Sequence, residues 1–234
     1  MEGRVLVAVG PVTGWRKIEG QRVEDERKRF VAEGYDRAAE RHAAWAQHIR
    51  VEERARYIAL LLERLPEGAT VLELGCGNGI PVARALAERF AVTGVDLSAR
   101  HVEMARSNVP YATFLQGDMT ALDFAPESFD AVTAFYSIIH VPREEHPGLL
   151  RDIARWLRPS GLLIAAMGFR STENAYEQDW LGIPMYFSHF DSPTNQRLVE
   201  EAGLRLLTAN EETADEDGAQ VTFLWVVAQK ARVE

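Results

Sequence analysis

Past Gly68 the chain changes texture, and that change restricts its fold more than any other feature. Short β-rich apolar runs alternate with helical segments at intervals of about twenty residues, the signature of βαβ units and a parallel sheet. The runs at 71–74, 92–95, 113–116, 131–135 and 162–167 read as strands. Helices are expected at 80–90, 98–108 and 144–157, with Pro159-Ser160-Gly161 as the stop of the last. Asp191 or Ser192 caps a further helix that runs to Ala202. The end of the chain differs. Residues 205–209 and 221–229 are β-rich, are joined by an acidic loop at 210–218 and have no helix between them, so they must be antiparallel. The expected fold is α/β: a doubly wound, mostly parallel sheet of seven strands that ends in an antiparallel hairpin.

Ahead of this pattern, residues 21–65 carry Tyr35, Ala38, Ala39, His42, Trp45 and Ala46 at helical spacing. Two or three amphipathic helices are expected there, ended by Pro66-Glu67-Gly68, with Tyr35 and Trp45 facing inward over the sheet or simply layered on it. Residues 1–65 then form an arm and helical cap, and 66–234 an α/β core, within one structural domain; residues 1–15 are a loose arm or an added strand. At 47% hydrophobic and 26% charged, the 234 residues are ordinary globular composition. The formal charge of −9 would repel a phosphate backbone, so nucleic acid is not an expected partner. Cys76 is the single cysteine, which rules out an internal disulfide or a cysteine metal cluster, fits a reducing cytoplasm, and leaves no metal site expected. No stretch approaches the length of a membrane span, and residues 5–9 are too short for the core of a signal peptide.

The chemistry should lie at the carboxyl ends of the strands, where open α/β sheets bind ligands. Val71-Leu-Glu-Leu-Gly75-Cys-Gly77-Asn-Gly79-Ile-Pro81 places glycines at alternate positions where a buried strand turns into a helix, so the backbone can approach a ligand closely. A tight packing turn would use the same residues. Asp96 ends the second strand, where a carboxylate can accept from both hydroxyls of a ribose, and Leu97 beside it offers an apolar face to an adenine. Asp118, in Gln116-Gly117-Asp118-Met119, ends the third strand; it either accepts from an exocyclic amine or caps the next turn. Phe135, Tyr136 and Ser137 follow the fourth strand beside the glycine turn.

In that order, Glu73-x-Gly75-x-Gly77-x-Gly79, Asp96, Gly117-Asp118, Phe129-Asp130 and Leu157-Arg-Pro-Ser-Gly161 resemble the class I S-adenosylmethionine-dependent methyltransferases, over about residues 68–167. The resemblance implies a Rossmann-like sheet with one reversed strand, in agreement with the terminal hairpin. It also implies S-adenosylmethionine as cofactor and a small, partly apolar acceptor. Glu73 would support the turn and reach the methionine amine, and the backbone of Gly75, Cys76, Gly77, Asn78 and Gly79 would wrap the methionine. Asp96 and Leu97 would hold the ribose and adenine, Gly117, Asp118 and Met119 the adenine edge, while Phe135, Tyr136 and Ser137 would face the sulfonium. A dinucleotide oxidoreductase would want Gly-x-Gly-x-x-Gly, but Ile80 stands where the third glycine would be. A cofactor-binding protein without turnover is the remaining alternative.

A sulfonium methyl is already electrophilic, so proximity and orientation can carry much of an in-line displacement. His140 is the nearest candidate base for a protonated acceptor, or else fixes its loop; His189 is the second. The connection at 168–190 is unusually long and aromatic, and Trp180, Met185, Tyr186 and Phe190 from it, with Tyr35, are expected to line the acceptor pocket. Packing on the sheet or a dimer contact would use the same side chains, and the expected assembly is a monomer or homodimer.

Overall fold

The computed structural model describes residues 25–232; residues 1–15, and the start of the helical region at 21, lie outside the described residues. Two helices, α1 (Glu26–Ala46) and α2 (Val51–Arg64), precede the sheet, with Asp25 capping α1 by accepting from the Arg27 amide. Then follow β1 (Thr70–Leu74), α3 (Val82–Ala87), β2 (Ala91–Asp96), α4 (Ala99–Asn108), β3 (Thr113–Gln116), β4 (Phe129–Phe135), α5 (His146–Trp156) and β5 (Leu157–Met167). The chain ends with β6 (Thr172–Trp180), β7 (Ile183–His189), α6 (Ser192–Glu201), β8 (Leu204–Glu216) and β9 (Ala219–Lys230). Seven strands form one sheet in the order β3-β2-β1-β4-β5-β9-β8. β9 is the reversed strand, antiparallel to both β5 and β8. The order reverses between β1 and β4, which opens a crevice at their carboxyl ends.

Alternation along the strands fills both faces. Leu72 and Leu74 of β1, Val132 and Ala134 of β4, and Leu163 and Ala165 of β5 pack with Leu149, Ile153 and Trp156 of α5 on one face. Val71, Ala131, Phe135, Ile164 and Trp225 pack on the other with Tyr57 and Leu61 of α2, Leu86 of α3 and Val102 of α4. Both faces are covered, so the central strands read as continuous apolar runs. Asp191, not Ser192, caps α6, accepting from the Thr194 amide.

Three expectations change. The helix at 80–90 is confined to Val82–Ala87, and β5 starts at Leu157, so Pro159-Ser160-Gly161 lies within the strand at a register shift against β4. The acidic run expected as a loop at 210–218 is strand up to Glu216, which pairs with Ala219, so that only Asp217-Gly218 forms the turn. Its carboxylates are sustained there by α2: Arg50 engages Glu216, while Arg56 and the Tyr57 hydroxyl engage Glu212. The long connection at 168–190 is a separate two-stranded sheet, β6 paired with β7. Its turn, Leu181-Gly182, has positive φ at both residues (50° and 75°), as a two-residue hairpin turn matched to strand twist requires. Met185 and Tyr186 of this hairpin bury against Val31 and Ala38 of α1, making a small third core above the sheet.

Candidate active site

The crevice between β1 and β4 opens into a cavity of about 530 Å³, roofed by α1 and the β6–β7 hairpin and bounded on a further side by the β8–β9 turn. Its floor is the glycine turn. The amides of Gly75 and Cys76 both donate to the Val95 carbonyl (2.8 and 3.0 Å), which hangs the turn on the end of β2. Gly75 adopts φ +77°, and a Cβ there would fall 2.2 Å from that of Ser137, so turn and β4 approach too closely for any side chain. Gly77, at φ +53°, faces open space instead: a Cβ would meet only His42, at 4.0 Å. Gly79 does not line the cavity; it backs onto Ala105 and Val109, and its smallness serves packing against α4.

Asp96 braces this floor. One carboxyl oxygen accepts from the Gly77 amide (2.8 Å), the other from the Ser98 amide (2.9 Å), with His101 Nδ1 at 3.7 Å. Burial alone would raise its carboxyl; the nearby His101 and the hydrogen bonds from the two amides outweigh it and hold the group below the usual carboxylate range. Glu73 is the opposite case. It is 4% exposed, one of its carboxyl oxygens has no partner, and burial together with the Asp96 charge pushes it well above the usual range. Leu97, Gly117 and Met119 line the same wall. Asp118 does so as well, while capping its own turn through the Thr120 amide (2.9 Å) and accepting from the Lys28 ammonium (2.8 Å). Lys28 also reaches Glu145 and Thr120, so a buried cation on α1 ties the roof to the ends of β3 and the start of α5.

At the roof, the Tyr35 hydroxyl lies 2.8 Å from His140 Nε2, and His140 Nδ1 lies 2.8 Å from the Tyr186 carbonyl. A carbonyl can only accept, so Nδ1 carries the proton and Nε2 accepts from Tyr35. Burial pulls His140 down to about 4, against the hydrogen bond to Tyr186, and Nε2 is therefore proton-free at neutral pH. Trp180 stands edge-on to Tyr35 (5.2 Å between ring centres), and His42 and Trp45 continue the aromatic surface.

Residues 71–161 match the family described as "Methyltransferase domain". Over that stretch the chain is similar to methyltransferase domains. A 2-phytyl-1,4-naphtoquinone methyltransferase of Thermosynechococcus vestitus is 38% identical over 104 residues, covering 42% of this chain and 45% of that protein. Methyltransferase GfsG of Streptomyces halstedii is 35% identical over 164 residues, 63% of this chain and 57% of that one. The chain spans about half the length of the curated relatives it matches. In fold it is similar to the magnesium protoporphyrin IX methyltransferase of Synechocystis (TM-score 0.68, 16% identity, 88% of this chain and 100% of that one). It is equally similar to the [4+2]-cyclase SpnF (TM-score 0.69, 18% identity, 87% and 96%), so the sheet alone does not dictate the reaction.

The cavity gathers Glu73, Gly75, Cys76, Gly77, Asn78, Asp96, Phe135, Tyr136 and Ser137 from one side, and Tyr35, His140 and Trp180 from the other. Besides Gly79, four expected residues are not in its wall. Met185 and Tyr186 are wholly buried between the hairpin and α1, because an isolated two-stranded sheet needs an apolar partner and α1 supplies it. Phe190 packs on the central core beside His146 and Arg143. His189 donates from Nδ1 to the Arg170 carbonyl (2.7 Å) with its ring pressed on Gly168, and serves the loop rather than the cavity. The sequence reading missed Lys28, His42, Arg50, Arg54 and His101, all in the cavity wall. Lys28, Tyr35 and His42 recur every seven residues, with Val31 and Trp45 three residues after the first and the last, an inward stripe that polar members disguised as a solvated face. Among the described residues no helix is long and apolar enough to cross a membrane, and no cluster of metal ligands occurs.

Proposed function

We propose that the protein transfers a methyl group from S-adenosylmethionine to a small, partly apolar acceptor. The observation that carries this reading is Glu73: a buried carboxyl with an oxygen that has no partner, in the cavity wall at the foot of a glycine turn whose middle residue faces open space. A cationic ligand group is what such a carboxyl lacks, and the methionine amine of the cofactor meets that need. Asp96, held ionised, would accept from the ribose, Leu97, Gly117, Asp118 and Met119 would flank the adenine, and Phe135 and Ser137 would bound the reacting end. When bound, the cofactor supplies an electrophilic methyl group on a sulfonium.

The chain's own contribution to chemistry is the Tyr35–His140 pair. Tyr35 lines the cavity and its hydroxyl donates to His140, which leaves the phenol oxygen's lone pairs to accept the proton of an acceptor hydroxyl. As that proton arrives, the Tyr35 proton passes to His140 Nε2, and the imidazolium that results is steadied by the Tyr186 carbonyl. Tyr35, Trp45, Trp180 and Phe187 offer the apolar surface for the acceptor and exclude water. In this reading α1 and α2 serve as the cap of a 66–234 core, nucleic acid is not a partner at a net charge of −9, and the enzyme acts in the cytoplasm as a monomer or homodimer. Calorimetry with S-adenosylhomocysteine and turnover with methyl-labelled cofactor over a panel of hydroxylated acceptors test the proposal. Micromolar binding with label transferred is expected; absence of binding by folded protein refutes it.

A further inference from the structure

A second stretch of the cavity wall comes from Arg54 of α2, Tyr136 beyond β4, Trp45, Ile49 and Phe223. Arg54 is 7% exposed and forms no ion pair among the described residues. One terminal nitrogen donates to the carbonyls of Ala46 and Ile49, while Nε has no partner. The Tyr136 hydroxyl is likewise buried without a partner. Its backbone sits at φ +60°, a strained conformation for an aromatic residue, and its ring is fixed edge-on against Phe223 and Trp225 (4.9 and 5.4 Å). Arg54 Nε and the Tyr136 hydroxyl, one of them part of a cation, are thus two buried donors in the wall of one cavity that lack an acceptor.

A buried polar group left unpaired is costly, and one in the wall of a cavity can be completed by a ligand that enters it. The nearby carboxylates, Glu53 and Glu216, are both engaged by Arg50. The charges nearest Arg54 are those of Tyr136, Glu53, Arg50 and Glu216, whereas the charge beside Glu73 is that of Asp96, so the two groups have different immediate neighbours within the one cavity. We propose that Arg54 and Tyr136 form a subsite for a carboxylate of the methyl acceptor, which makes the acceptor an organic acid with an apolar body lying against Trp45 and Phe223. This rests on the methyltransferase reading, since it takes the Glu73 end of the cavity as filled by the cofactor.

The test uses the whole chain, with benzoate and cinnamate as probes and benzamide and cinnamamide as their neutral matches, each titrated with and without saturating S-adenosylhomocysteine and followed by NMR. The wild type should bind each acid at least about tenfold more tightly than its amide, as a charge-assisted contact to guanidinium predicts. Arg54→Met should erase that preference, and Tyr136→Phe, which keeps every ring contact, should reduce it about threefold. Both variants should hold S-adenosylhomocysteine within about threefold of wild type. Equal affinity of wild type for acids and amides overturns the subsite. A loss of S-adenosylhomocysteine affinity beyond about tenfold in both variants, with acid preference unchanged, assigns the pair to the cofactor's own carboxylate and overturns the acceptor assignment. Failure of the wild type to bind S-adenosylhomocysteine is a different result, which strikes the methyltransferase reading itself.

Discussion

Replacing Tyr35 by Phe removes one atom from the contact on which the proposed proton path depends. The hydroxyl is 2.8 Å from His140 Nε2, and His140 is 8% exposed, so no water readily takes its place. The ring contacts to His42, His140 and Trp180, at 5.1–5.3 Å, persist in Phe. The loss is therefore that of one hydrogen bond with a buried acceptor left unpaired, about 1–2 kcal/mol. For a chain of this length that lowers the melting temperature by about 2–8 °C. The effect on rate should be far larger, a fall of about 10²–10⁴ in single-turnover methyl transfer to the acceptor found by the labelled screen. Affinity for S-adenosylhomocysteine should stay within about twofold, because Tyr35 touches the roof and not the glycine turn. His140→Phe should cost a similar factor, and the double variant scarcely more than either single one, since the two act as a unit. A folded Tyr35→Phe protein whose single-turnover rate stays within about threefold of wild type refutes the relay.

Asp96→Asn should weaken S-adenosylhomocysteine by about 10–100-fold, since Asp96 both faces the cavity and braces the amides of Gly77 and Ser98; unchanged calorimetric affinity would remove it from the site. Glu73 is raised in the folded state above its ordinary 4.5, so its contribution to stability is present below that value and is lost as pH rises through the folded one. Glu73→Gln should accordingly gain melting temperature on the wild type as pH goes from 4 towards 8, and a difference that does not change with pH would contradict this. Trp180→Ala removes a half-buried ring that also supports Tyr35, so a loss of about 1–3 kcal/mol in stability and slower methyl transfer are expected with cofactor affinity preserved. Equal weakening of both ligands would mean that Trp180 is packing alone.

The floor of the site was legible because local chemistry determines it. Glycines at 75 and 77 after an apolar strand, and carboxylates at 96 and 118 at the ends of the next two, are patterns that a βαβ backbone turns directly into positions along one edge, whereas Gly79 in the same pattern serves packing instead. The terminal hairpin was legible for a geometric reason, because 210–218 is too short to return the chain in parallel. The roof was legible only in part: Tyr35, Trp45, His140 and Trp180 were expected there and line the cavity, while the other members depend on partners remote in sequence. Met185 and Tyr186 look like pocket residues until α1 is known to lie on them, and Leu181-Gly182 was the one local sign that 168–190 folds back as a hairpin. Arg54 carries no sign at all along the sequence. Its meaning comes from Tyr136, more than eighty residues on, and from the failure of any carboxylate to reach it.

The cavity's walls come from different stretches of chain, and this has an evolutionary consequence. The floor is assembled within 71–161, whereas the roof and rim come from α1, α2, the β6–β7 hairpin and the tip of the β8–β9 hairpin, whose Asp217 accepts from Trp45 Nε1 (2.8 Å). These four flanking segments can thus mutate, lengthen or be exchanged while the glycine turn and Asp96 keep their geometry. A lineage with this layout can drift among acceptors without relearning how to hold its methyl donor. Recombination experiments that graft residues 172–189 between relatives should therefore move acceptor preference while leaving S-adenosylhomocysteine affinity where it was.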